Sequence, residues 1–449
     1  MLKKFFIAYA LINCLFMHNV QAKSESKEAA DQISTYELLN IFGEVMDRTK
    51  SSYVEEVTDK KLIEASLNGM LTALDPHSSY LNEEDFKYMN EQTQGKFGGL
   101  GIEITMDNSV VKIISPIDDT PAARAGLKAG DYITDIDGES VIGQSLNEVV
   151  SKLRGKVGTK VKITVRRLNE KPFDVTLRRD EIKVQSVKHE LKNDDILYVR
   201  ISAFNDDIDK DIEKAVSEAQ KKLKNKLSGI VIDVRNNPGG LLDQAVKVSD
   251  LFLEQGEIVS TRSRNEEDTV KYSATPGDIA GNLPIVVMIN EGSASASEIV
   301  AGALQDHHRA IILGQKSFGK GSVQTVIPLR NNAAMRLTTA RYYTPSGRSI
   351  QAKGIEPDVA VKQAKIEEIN TYDLNLSEAD LKGALKNEQA KDSPKDKSAQ
   401  KNKNDKDDDQ QDYQLIRALD LVKSLYIYSN NDNNLVHKKA EESNNKKEK

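Results

Sequence analysis

The chain has 449 residues, enough for two or three domains of ordinary size. Its 69 acidic and 63 basic residues give a net charge of −6. The basic residues are scattered along the chain rather than gathered in one block, which argues against nucleic acid as the main partner. Tryptophan is absent and aromatic residues are few, so the core must be built from Ile, Leu, Val and Ala.

The N-terminus has the pattern of a secretory signal peptide. Two lysines precede an apolar run from Phe5 to Met17, and Val20-Gln-Ala22 places small residues two apart. We therefore predict a signal peptide over 1–22, cleaved after Ala22. The alternative is a membrane anchor, although the apolar run is shorter than the ~20 residues that span a bilayer. The protein is expected to be periplasmic or otherwise extracytoplasmic, and membrane-associated if the leader is retained.

The single cysteine of the chain, Cys14, lies inside this segment. Asn13 before it fits a lipoprotein processing site poorly, so we interpret Cys14 as part of the apolar core of the signal. The mature protein would then have no disulfide and no cysteine nucleophile. Its stability would depend on its packed core alone.

Residues 34–94 are predicted to form a helical domain. Apolar residues recur at spacings of three and four from Tyr36 to Met46 and from Leu62 to Leu74. This spacing is typical of amphipathic helices. Asp75-Pro76-His77 interrupts the pattern, and we interpret His77 as a loop or packing residue rather than a catalyst.

Residues 95–168 change in character to short β-rich runs divided by glycine turns. Strands are predicted near 100–104, 110–114, 131–136 and 160–165, and helices at 121–126 and 145–153. This order of elements resembles a PDZ domain, a small module that binds the free C-terminus of a peptide.

The stretch from Phe97 to Ile102 resembles the carboxylate-binding loop of such a domain. Glycines allow successive backbone N–H groups to point toward one anion. The resemblance implies that a peptide adds as a strand beside the helix at 145–153. The residues expected to bind its terminal carboxylate are Gly98, Gly99, Leu100, Gly101 and Ile102.

Residues 180–362 are predicted to form an α/β layered core. Four near-continuous apolar runs, at 196–201, 229–234, 284–289 and 310–313, are typical of strands that are covered on both faces. Helical stretches lie between them. These helices are predicted at 207–223, 241–252 and 295–305.

The C-terminal part of the chain is predicted to contain one helix between two unstructured stretches. Residues 386–411 consist almost wholly of Lys, Asp, Asn, Gln and Ser, cannot offset their ordering entropy by burial, and are expected to be a disordered linker. Helical spacing returns over 412–430, and 431–449 are expected to be a mobile tail. The N- and C-terminal helices are candidate surfaces for self-association or for a regulatory partner.

A serine at a predicted strand-to-helix turn is the first candidate catalyst. The strand at 284–289 runs into Asn290-Glu-Gly-Ser-Ala-Ser-Ala, where small residues allow a sharp turn. The partial positive charge at a helix N-terminus favours an alkoxide or a bound oxyanion. Ser295 and Glu298 also form the pattern Ser-x-x-Glu, so the alternative is that Ser295 only caps the helix.

A lysine between two glycines, in Phe318-Gly-Lys-Gly-Ser-Val-Gln324, is the second candidate. Flanking glycines let a backbone pack closely, which is unusual around a solvated surface charge. A lysine amine can take a serine proton when burial lowers its pKa. If the stretch is extended, Gln324 shares a face with Lys320 and can orient the amine.

A glycine pair after a predicted strand, in Asp233-Val-Arg-Asn-Asn-Pro-Gly-Gly240, is the third candidate. Free N–H groups at Gly239 or Gly240, with the amide of Ala296, could bind the oxygen of a tetrahedral intermediate. The alternative is a phosphate-binding turn or a plain linker, although the lysine and hydroxyl of a nucleotide-binding loop are missing.

Two other catalytic designs are disfavoured. Asp306, His307 and His308 follow Ser295 by eleven to thirteen residues on one helix, which at ~1.5 Å per residue places them roughly 17–20 Å away. A Ser–His–Asp triad is therefore excluded. No His, Asp and Glu cluster has metal-ligand spacing, so we expect neither a metal nor another cofactor.

Taken together, these motifs resemble the carboxy-terminal processing (tail-specific) proteases, a Ser–Lys peptidase family with an embedded PDZ domain. The resemblance extends over about 34–361 and includes Tyr342–Gln351 and Gly354–Asp358 as the closing segment. It implies that Ser295, rather than Ser293 or Ser297, is the nucleophile. It further implies that Lys320 is the general base and Gln324 the orienting residue.

We therefore predict a multidomain α+β protein that acts as an exported serine endopeptidase. Its PDZ domain would bind the free C-terminus of a protein substrate, and a Ser–Lys dyad would cleave the peptide bond through an acyl-enzyme. The main alternative is a catalytically inactive PDZ scaffold that binds the C-termini of exported proteins. The resemblance also implies that Asp306 matches an aspartate on the nucleophile's helix that has been discussed with the dyad in some family members, and the distance argument makes it a structural position.

Overall fold

The computed structural model describes residues 34–117, 119–224, 226–365, 385 and 412–445. The predicted signal peptide (1–22) and disordered linker (386–411) lie outside the described residues. The chain divides into two compact units, 1–82 and 83–449. The helices are α1 Thr35–Ser52, α2 Asp59–Thr72, α3 Glu83–Gln94, α4 Pro121–Arg124, α5 Leu146–Leu153, α6 Ile208–Lys222, α7 Leu242–Asp250, α8 Ala296–Asp306 and α9 Tyr413–Asn445.

The strands alternate with these helices through most of the second unit. They are β1 Ser79–Leu81, β2 Lys96–Gly99, β3 Ile102–Asp107, β4 Val110–Pro116, β5 Tyr132–Ile136, β6 Glu139–Ser140, β7 Lys160–Arg166, β8 Phe173–Arg178, β9 Asp180–Lys183, β10 Val187–Lys192, β11 Ile196–Ile201, β12 Gly229–Asp233, β13 Glu257–Ser263, β14 Val270–Ser273, β15 Ile285–Ile289, β16 Ile311–Gly314, β17 Ser322–Pro328, β18 Ala334–Tyr343 and β19 Val359–Ala360.

The first unit contains α1, α2 and β1. Ser34 begins α1 with a capping box, in which the Ser34 hydroxyl accepts the Glu37 N–H and the Glu37 carboxylate accepts the Ser34 N–H. After α2, the Asp75 carboxylate accepts the N–H groups of His77 and Ser78. This is the turn that the sequence predicted at Asp75-Pro76-His77.

A PDZ module occupies the N-terminal part of the second unit. Its antiparallel sheet has the order β3-β4-β5-β7-β8, with β6 beside β5, while β2 pairs with β9. The sheet therefore continues through β8, past the predicted boundary at 168. Ser145 and Glu148 form a capping box at the start of α5, and Val149 and Leu153 of this helix pack on Ile113, Ile133 and Ile163.

The α/β core is built on a second sheet with the order β10-β11-β12-β15-β16-β19. β10 is antiparallel to β11, and the other neighbouring strands are parallel. The four predicted core strands are all present, with ends within one residue of the prediction. Their residues are almost fully buried because helices cover both faces.

Alternate residues of these strands pack against different helices. Ile230 and Ile232 of β12 belong to the cluster that also contains side chains of α6, α7 and α8. Val231 points to the other face, where it packs with Leu415 and Val422 of α9. The predicted C-terminal helix therefore docks on the core. It continues to Asn445 rather than ending near residue 430, because 431–445 contain no Gly or Pro that would stop it.

The core also includes strands that the sequence analysis did not predict. β13 pairs with β14 and with β18, and β17 and β18 form a hairpin. The burial of β14, β17 and β18 is only partial. β13 does contain four consecutive buried residues, but two of them, Ser260 and Thr261, are polar, so it also lacks the continuous apolar run of the main-sheet strands. The hairpin carries Gln324 near its start and Tyr342 near its end, so it matters directly for the site.

Candidate active site

The turn after β15 places three serines in different environments. The Ser293 hydroxyl donates to the Val234 carbonyl oxygen at 2.8 Å, and the Ser297 hydroxyl donates to the Asn237 carbonyl oxygen at 3.0 Å. Both side chains therefore serve to hold this turn against the loop that follows β12. Ser295 lies between them at the start of α8 and is 7% exposed.

The backbone of Ser295 is strained. Its φ of 55° and ψ of −111° lie in a region that residues with a side chain seldom adopt. Such conformations persist only where the surrounding contacts enforce them, and they concentrate at functional sites. A residue that merely caps a helix normally has an extended backbone, as Ser145 has at α5.

The Glu298 side chain is buried beneath this turn, and its carboxylate accepts four hydrogen bonds. Its carboxylate is 0% exposed and accepts hydrogen bonds from two backbone groups through one oxygen, the N–H of Ser295 at 2.8 Å and the N–H of Lys320 at 2.9 Å. The other oxygen accepts from the Ser317 hydroxyl at 2.5 Å and the Gly319 N–H at 2.7 Å. Burial raises the pKa of Glu298, and the four donated hydrogen bonds oppose that rise.

Glu298 thus joins the two segments that carry the predicted nucleophile and base. The sequence analysis noted this glutamate only as a partner in a helix cap. The Ser295 N–H does donate to it, as in a capping box, while the Glu298 N–H donates to the Ser295 carbonyl oxygen at 2.9 Å. The bonds to Ser317, Gly319 and Lys320 could not be inferred from spacing, because they come from a segment about twenty residues away.

The two glycines beside Lys320 make the close backbone contacts that the sequence suggested. A Cβ on Gly321 would lie 2.3 Å from the Gln351 nitrogen, and one on Gly319, where φ is +92°, would lie 3.1 Å from the Gly354 nitrogen. The lysine loop is therefore pressed against the segment at 351–354. Lys320 itself is half-buried.

Gln324 lies on β17 and is also half-buried. Its Nε2 donates to the Ser322 hydroxyl at 2.9 Å and to the Thr338 hydroxyl at 3.3 Å. Lys320 precedes the strand, and the pairing of β17 with β18 shifts register between Val323 and Gln324. The regular alternation on which the shared-face argument relied is therefore interrupted.

The glycine pair after β12 meets the nucleophile turn directly. A Cβ on Gly239 would lie 2.8 Å from Ser295 Cβ and 3.0 Å from the Ala296 nitrogen. The Gly239 N–H donates to Asn237 Oδ1 at 2.9 Å in this structure. At Gly240 a Cβ would lie 2.1 Å from the Phe204 carbonyl oxygen, so both positions require glycine.

Asn237 and Tyr342 are two site residues that the sequence analysis missed. The fully buried Asn237 side chain donates to the Ile201 carbonyl oxygen, and the backbone carbonyl oxygen of Asn237 accepts the Ala294 N–H at 3.0 Å. The Tyr342 side chain is buried near Ser295, and burial raises the pKa of its hydroxyl to about 12. Tyr342 is therefore a neutral phenol at physiological pH.

Asp306 and His307, at the C-terminal end of α8, contact other segments of the core rather than Ser295. The Asp306 carboxylate accepts from the Ser346 N–H at 2.9 Å and pairs with the Arg348 guanidinium at 2.5 Å. His307 Nε2 lies 2.7 Å from the Glu257 carbonyl oxygen. These contacts hold the closing segment and β13 to the helix, as expected for a structural position.

The PDZ module contains a small cleft of about 90 Å³ between β3 and α5. The Arg154 guanidinium stacks on the Phe97 ring at 4.1 Å. Its Nη1 is buried without a hydrogen-bond partner, the nearest charge being the Glu91 carboxylate at 4.0 Å. The residues that line the cleft are Phe97, Gly99, Leu100, Gly101, Ile102, Ile104, Val150, Leu153 and Arg154.

Within the described part of the chain, no group of three or more His, Cys, Asp or Glu side chains could hold a metal ion. None of the helices there is both long enough and apolar enough to cross a membrane.

Sequence profiles match three regions of the chain. Residues 195–361 match Peptidase family S41, 112–167 match a PDZ domain, and 3–85 match the activating protease CtpB N-terminal domain. The chain is 48% identical over 418 residues to a carboxy-terminal-processing protease of Bartonella bacilliformis, covering 92% of this chain and 95% of that protein.

The chain is also similar to more distant proteins. A probable CtpA-like serine protease of Staphylococcus haemolyticus is 36% identical over 329 residues, which cover 73% of this chain and 65% of that protein. Among solved structures, the photosystem II D1 C-terminal processing protease is 30% identical, with 70% of this chain and 85% of that chain covered and a TM-score of 0.43.

Proposed function

This chain belongs to peptidase family S41 and is a C-terminal processing serine protease with a PDZ domain, and we propose that Ser295 is its nucleophile and Lys320 its general base. The 48% identity to a carboxy-terminal-processing protease along nearly the whole chain favours this activity over the inactive scaffold. The assignment of individual residues rests on the geometry.

One observation supports the pairing of Ser295 with Lys320 above all others. A single oxygen of the buried Glu298 carboxylate accepts the backbone N–H groups of both residues, at 2.8 and 2.9 Å. Ser295 and Lys320 are 25 positions apart in the chain, and yet their backbone N–H groups donate to the same oxygen atom. A nucleophile and its base must be held in such a fixed relation for proton transfer to be efficient.

In the proposed reaction, neutral Lys320 takes the proton from the Ser295 hydroxyl as Oγ attacks the peptide carbonyl carbon. The carbonyl oxygen becomes an oxyanion, which backbone N–H groups at Gly239 or Gly240 and at Ala296 would stabilise. Collapse of this intermediate breaks the C–N bond, and Lys320 returns the proton to the leaving amine. Water then attacks the acyl-enzyme while Lys320 accepts its proton, the bond between Ser295 Oγ and the acyl carbon breaks, and Lys320 returns the proton to Oγ. Gln324 would orient the lysine.

The substrate would be a protein with a free C-terminus. We assign its carboxylate to the PDZ loop at Gly98–Ile102, beside the cleft between β3 and α5. The peptide would lie as an added strand along β3. Exposed apolar side chains on α1, such as Leu38 and Leu39, offer a surface for self-association or a regulatory partner.

We further propose that the protein is exported and acts in the periplasm or an equivalent compartment. The basis is the pattern of the first 22 residues. N-terminal sequencing of the protein recovered from the extracytoplasmic fraction should begin at Lys23. Recovery of the uncleaved chain in the cytoplasm would contradict both export and cleavage.

The catalytic assignment is tested with two substitutions and a matched control. Ser295→Ala should abolish peptide cleavage and labelling by a fluorophosphonate, with the thermal unfolding midpoint retained. Lys320→Arg should also abolish cleavage, because a guanidinium cannot supply a neutral amine. Lys316→Arg, at an exposed lysine paired with Glu356 in the same loop, should leave activity unchanged. Turnover in either of the first two variants would refute the assignment.

A further inference from the structure

The C-terminal helix α9 docks on the core through two ion pairs at opposite ends of the parallel strands. Lys423 pairs with Asp195, which directly precedes β11. Asp412, at the start of the helix, pairs with Arg235, which follows β12 on the loop that carries Gly239 and Gly240. Only the second pair lies at the carboxyl ends of the strands, where the catalytic loops are.

The Arg235 side chain is held from both sides. Its Nε and Nη2 donate to the Asp233 carboxylate at 3.0 and 2.7 Å, and its Nη1 and Nη2 donate to the Asp412 carboxylate at 3.0 and 2.6 Å. The Arg235 side chain is 13% exposed, Asp233 2% and Asp412 23%. A planar guanidinium bound at several points in this way has one orientation.

The next residue along the chain links this arrangement to the nucleophile turn. The Asn236 N–H donates to Asn290 Oδ1, and Asn290 Nδ2 donates to Asn236 Oδ1, both at 2.8 Å. Asn290 begins the turn that leads to Ser295. The position of Arg235 is thereby coupled to the loops on which both the oxyanion donors and the nucleophile lie.

The first turn of α9 also reaches the segment that precedes the lysine loop. The Gln414 side chain is 3% exposed, accepts from Arg235 Nη1 at 3.0 Å and donates to the Val361 carbonyl oxygen at 2.7 Å. Its Nε2 lies 3.5 Å from Gln315 Oε1. A polar cavity of about 510 Å³ at this point is lined by Tyr198, Arg200, Asp233, Arg235, Asn236, Asn290, Glu291, Gln315, Gln363, Asp412 and Gln414.

We propose that Arg235 is a positioning residue for the proteolytic reaction and that Asp412 fixes it, so that the first turn of the C-terminal helix forms part of the catalytic apparatus. This inference rests on the proposed function. It predicts that loss of the Asp412 carboxylate lowers kcat and leaves KM unchanged, because the PDZ cleft and the substrate contacts are untouched. The loop at 236–241 should also become more mobile.

The test compares Asp412→Asn with Lys423→Met in the full chain. Both remove one ion pair between the same helix and the core, so a general loosening of α9 would affect them equally. We expect about a tenfold lower kcat for Asp412→Asn, in line with the loss of charge-assisted hydrogen bonds, and a wild-type kcat for Lys423→Met. Arg235→Lys keeps the positive charge beside Asp233 but loses the several hydrogen bonds that the guanidinium donates to Asp233 and Asp412. Its kcat should fall as much as that of Asp412→Asn.

Amide hydrogen exchange provides a readout that does not depend on activity. Peptides that cover 236–241 should exchange faster in Asp412→Asn than in the wild type or in Lys423→Met. Unchanged exchange in Asp412→Asn, or an equal fall of kcat in Lys423→Met, would overturn the inference. A lack of cleavage by the wild-type protein would instead count against the proposed function, and the exchange result would still decide the coupling.

Discussion

The carboxylate of Glu298 accepts a hydrogen bond from the backbone N–H of Lys320, with 2.9 Å between the two atoms. The same oxygen accepts the Ser295 N–H. A side chain that appears in the sequence as part of a helix cap therefore holds the loop of Ser295 and the loop of Lys320 together.

Glu298→Gln should lower kcat strongly. A glutamine has one acceptor oxygen and one NH₂ group, so two of the four donors around this buried site would face another donor. Each unpaired buried group costs about 1–3 kcal/mol. The matched control is Glu148→Gln, which alters the exposed capping box at α5 and should change activity little. Steady-state kinetics and thermal unfolding of both variants check this prediction, and a fully active Glu298→Gln protein would contradict it.

Gly239→Ala should abolish or greatly reduce activity. The new Cβ would lie 2.8 Å from both Ser295 Cβ and the Ala294 carbonyl oxygen, and it would be added at a φ of +103°. The control is Gly138→Ala in a PDZ turn, where φ is +85° and nothing lies within 4 Å of the new atom. Both variants carry backbone strain of roughly 1 kcal/mol, but only the first should lose fluorophosphonate labelling of Ser295. Normal labelling of Gly239→Ala would show that the glycine contact is unimportant.

Arg154→Ala should raise KM for substrates with a free C-terminal carboxylate by at least about tenfold, because a hydrogen bond to a charged group contributes about 1.5–3 kcal/mol. The buried, unpartnered Nη1 of Arg154 lies in the PDZ cleft, where it can donate to that carboxylate. C-terminally amidated substrates should show no such difference between the variant and the wild type. Lys152→Ala, two residues earlier in the last turn of α5 and paired with Glu139, serves as the control. An equal effect on amidated substrates would refute carboxylate recognition by Arg154.

The PDZ module should lose stability in acid through Asp131. This carboxylate is 1% exposed; burial raises its pKa, but hydrogen bonds from Arg167 and the Lys128 backbone outweigh burial and hold the pKa below its ordinary value of 3.8. Because the folded-state pKa is the lower one, the stabilisation is complete above the unfolded-state pKa. It is lost as the pH falls through the folded-state value.

Hydrogen exchange of the β5 amides at 132–136 between pH 5 and 2 measures this effect. Protection should fall with pH in the wild type and depend less on pH in Asp131→Asn, in which the carboxylate is absent. Asp174→Asn, at an exposed pair with Lys162, should retain the wild-type pH dependence of β5. Identical pH profiles for the wild type and Asp131→Asn would contradict the assignment.

The sequence alone identified the elements whose physical signal is local. The four continuous apolar strands of the core could be located within one residue, because strands buried on both faces require uninterrupted apolar side chains. The order of short strands and glycine turns identified the PDZ module. The serine turn, the glycine-flanked lysine and the glycine pair were likewise visible, because sharp turns and close backbone contacts restrict residue type over a few positions.

Only the tertiary structure decided how these pieces meet. β14, β17 and β18 escaped prediction because half-exposed strands have weak apolar patterns, and β13 escaped because its buried run is broken by the polar residues Ser260 and Thr261. The buried contacts of Glu298 and Asn237 depend on segments that are distant in sequence. The link from Asp412 to Arg235 spans 177 positions. No local spacing in the sequence encodes such a pair. The ion pair forms only after α9 has packed on the sheet and brought Asp412 next to the loop that follows β12.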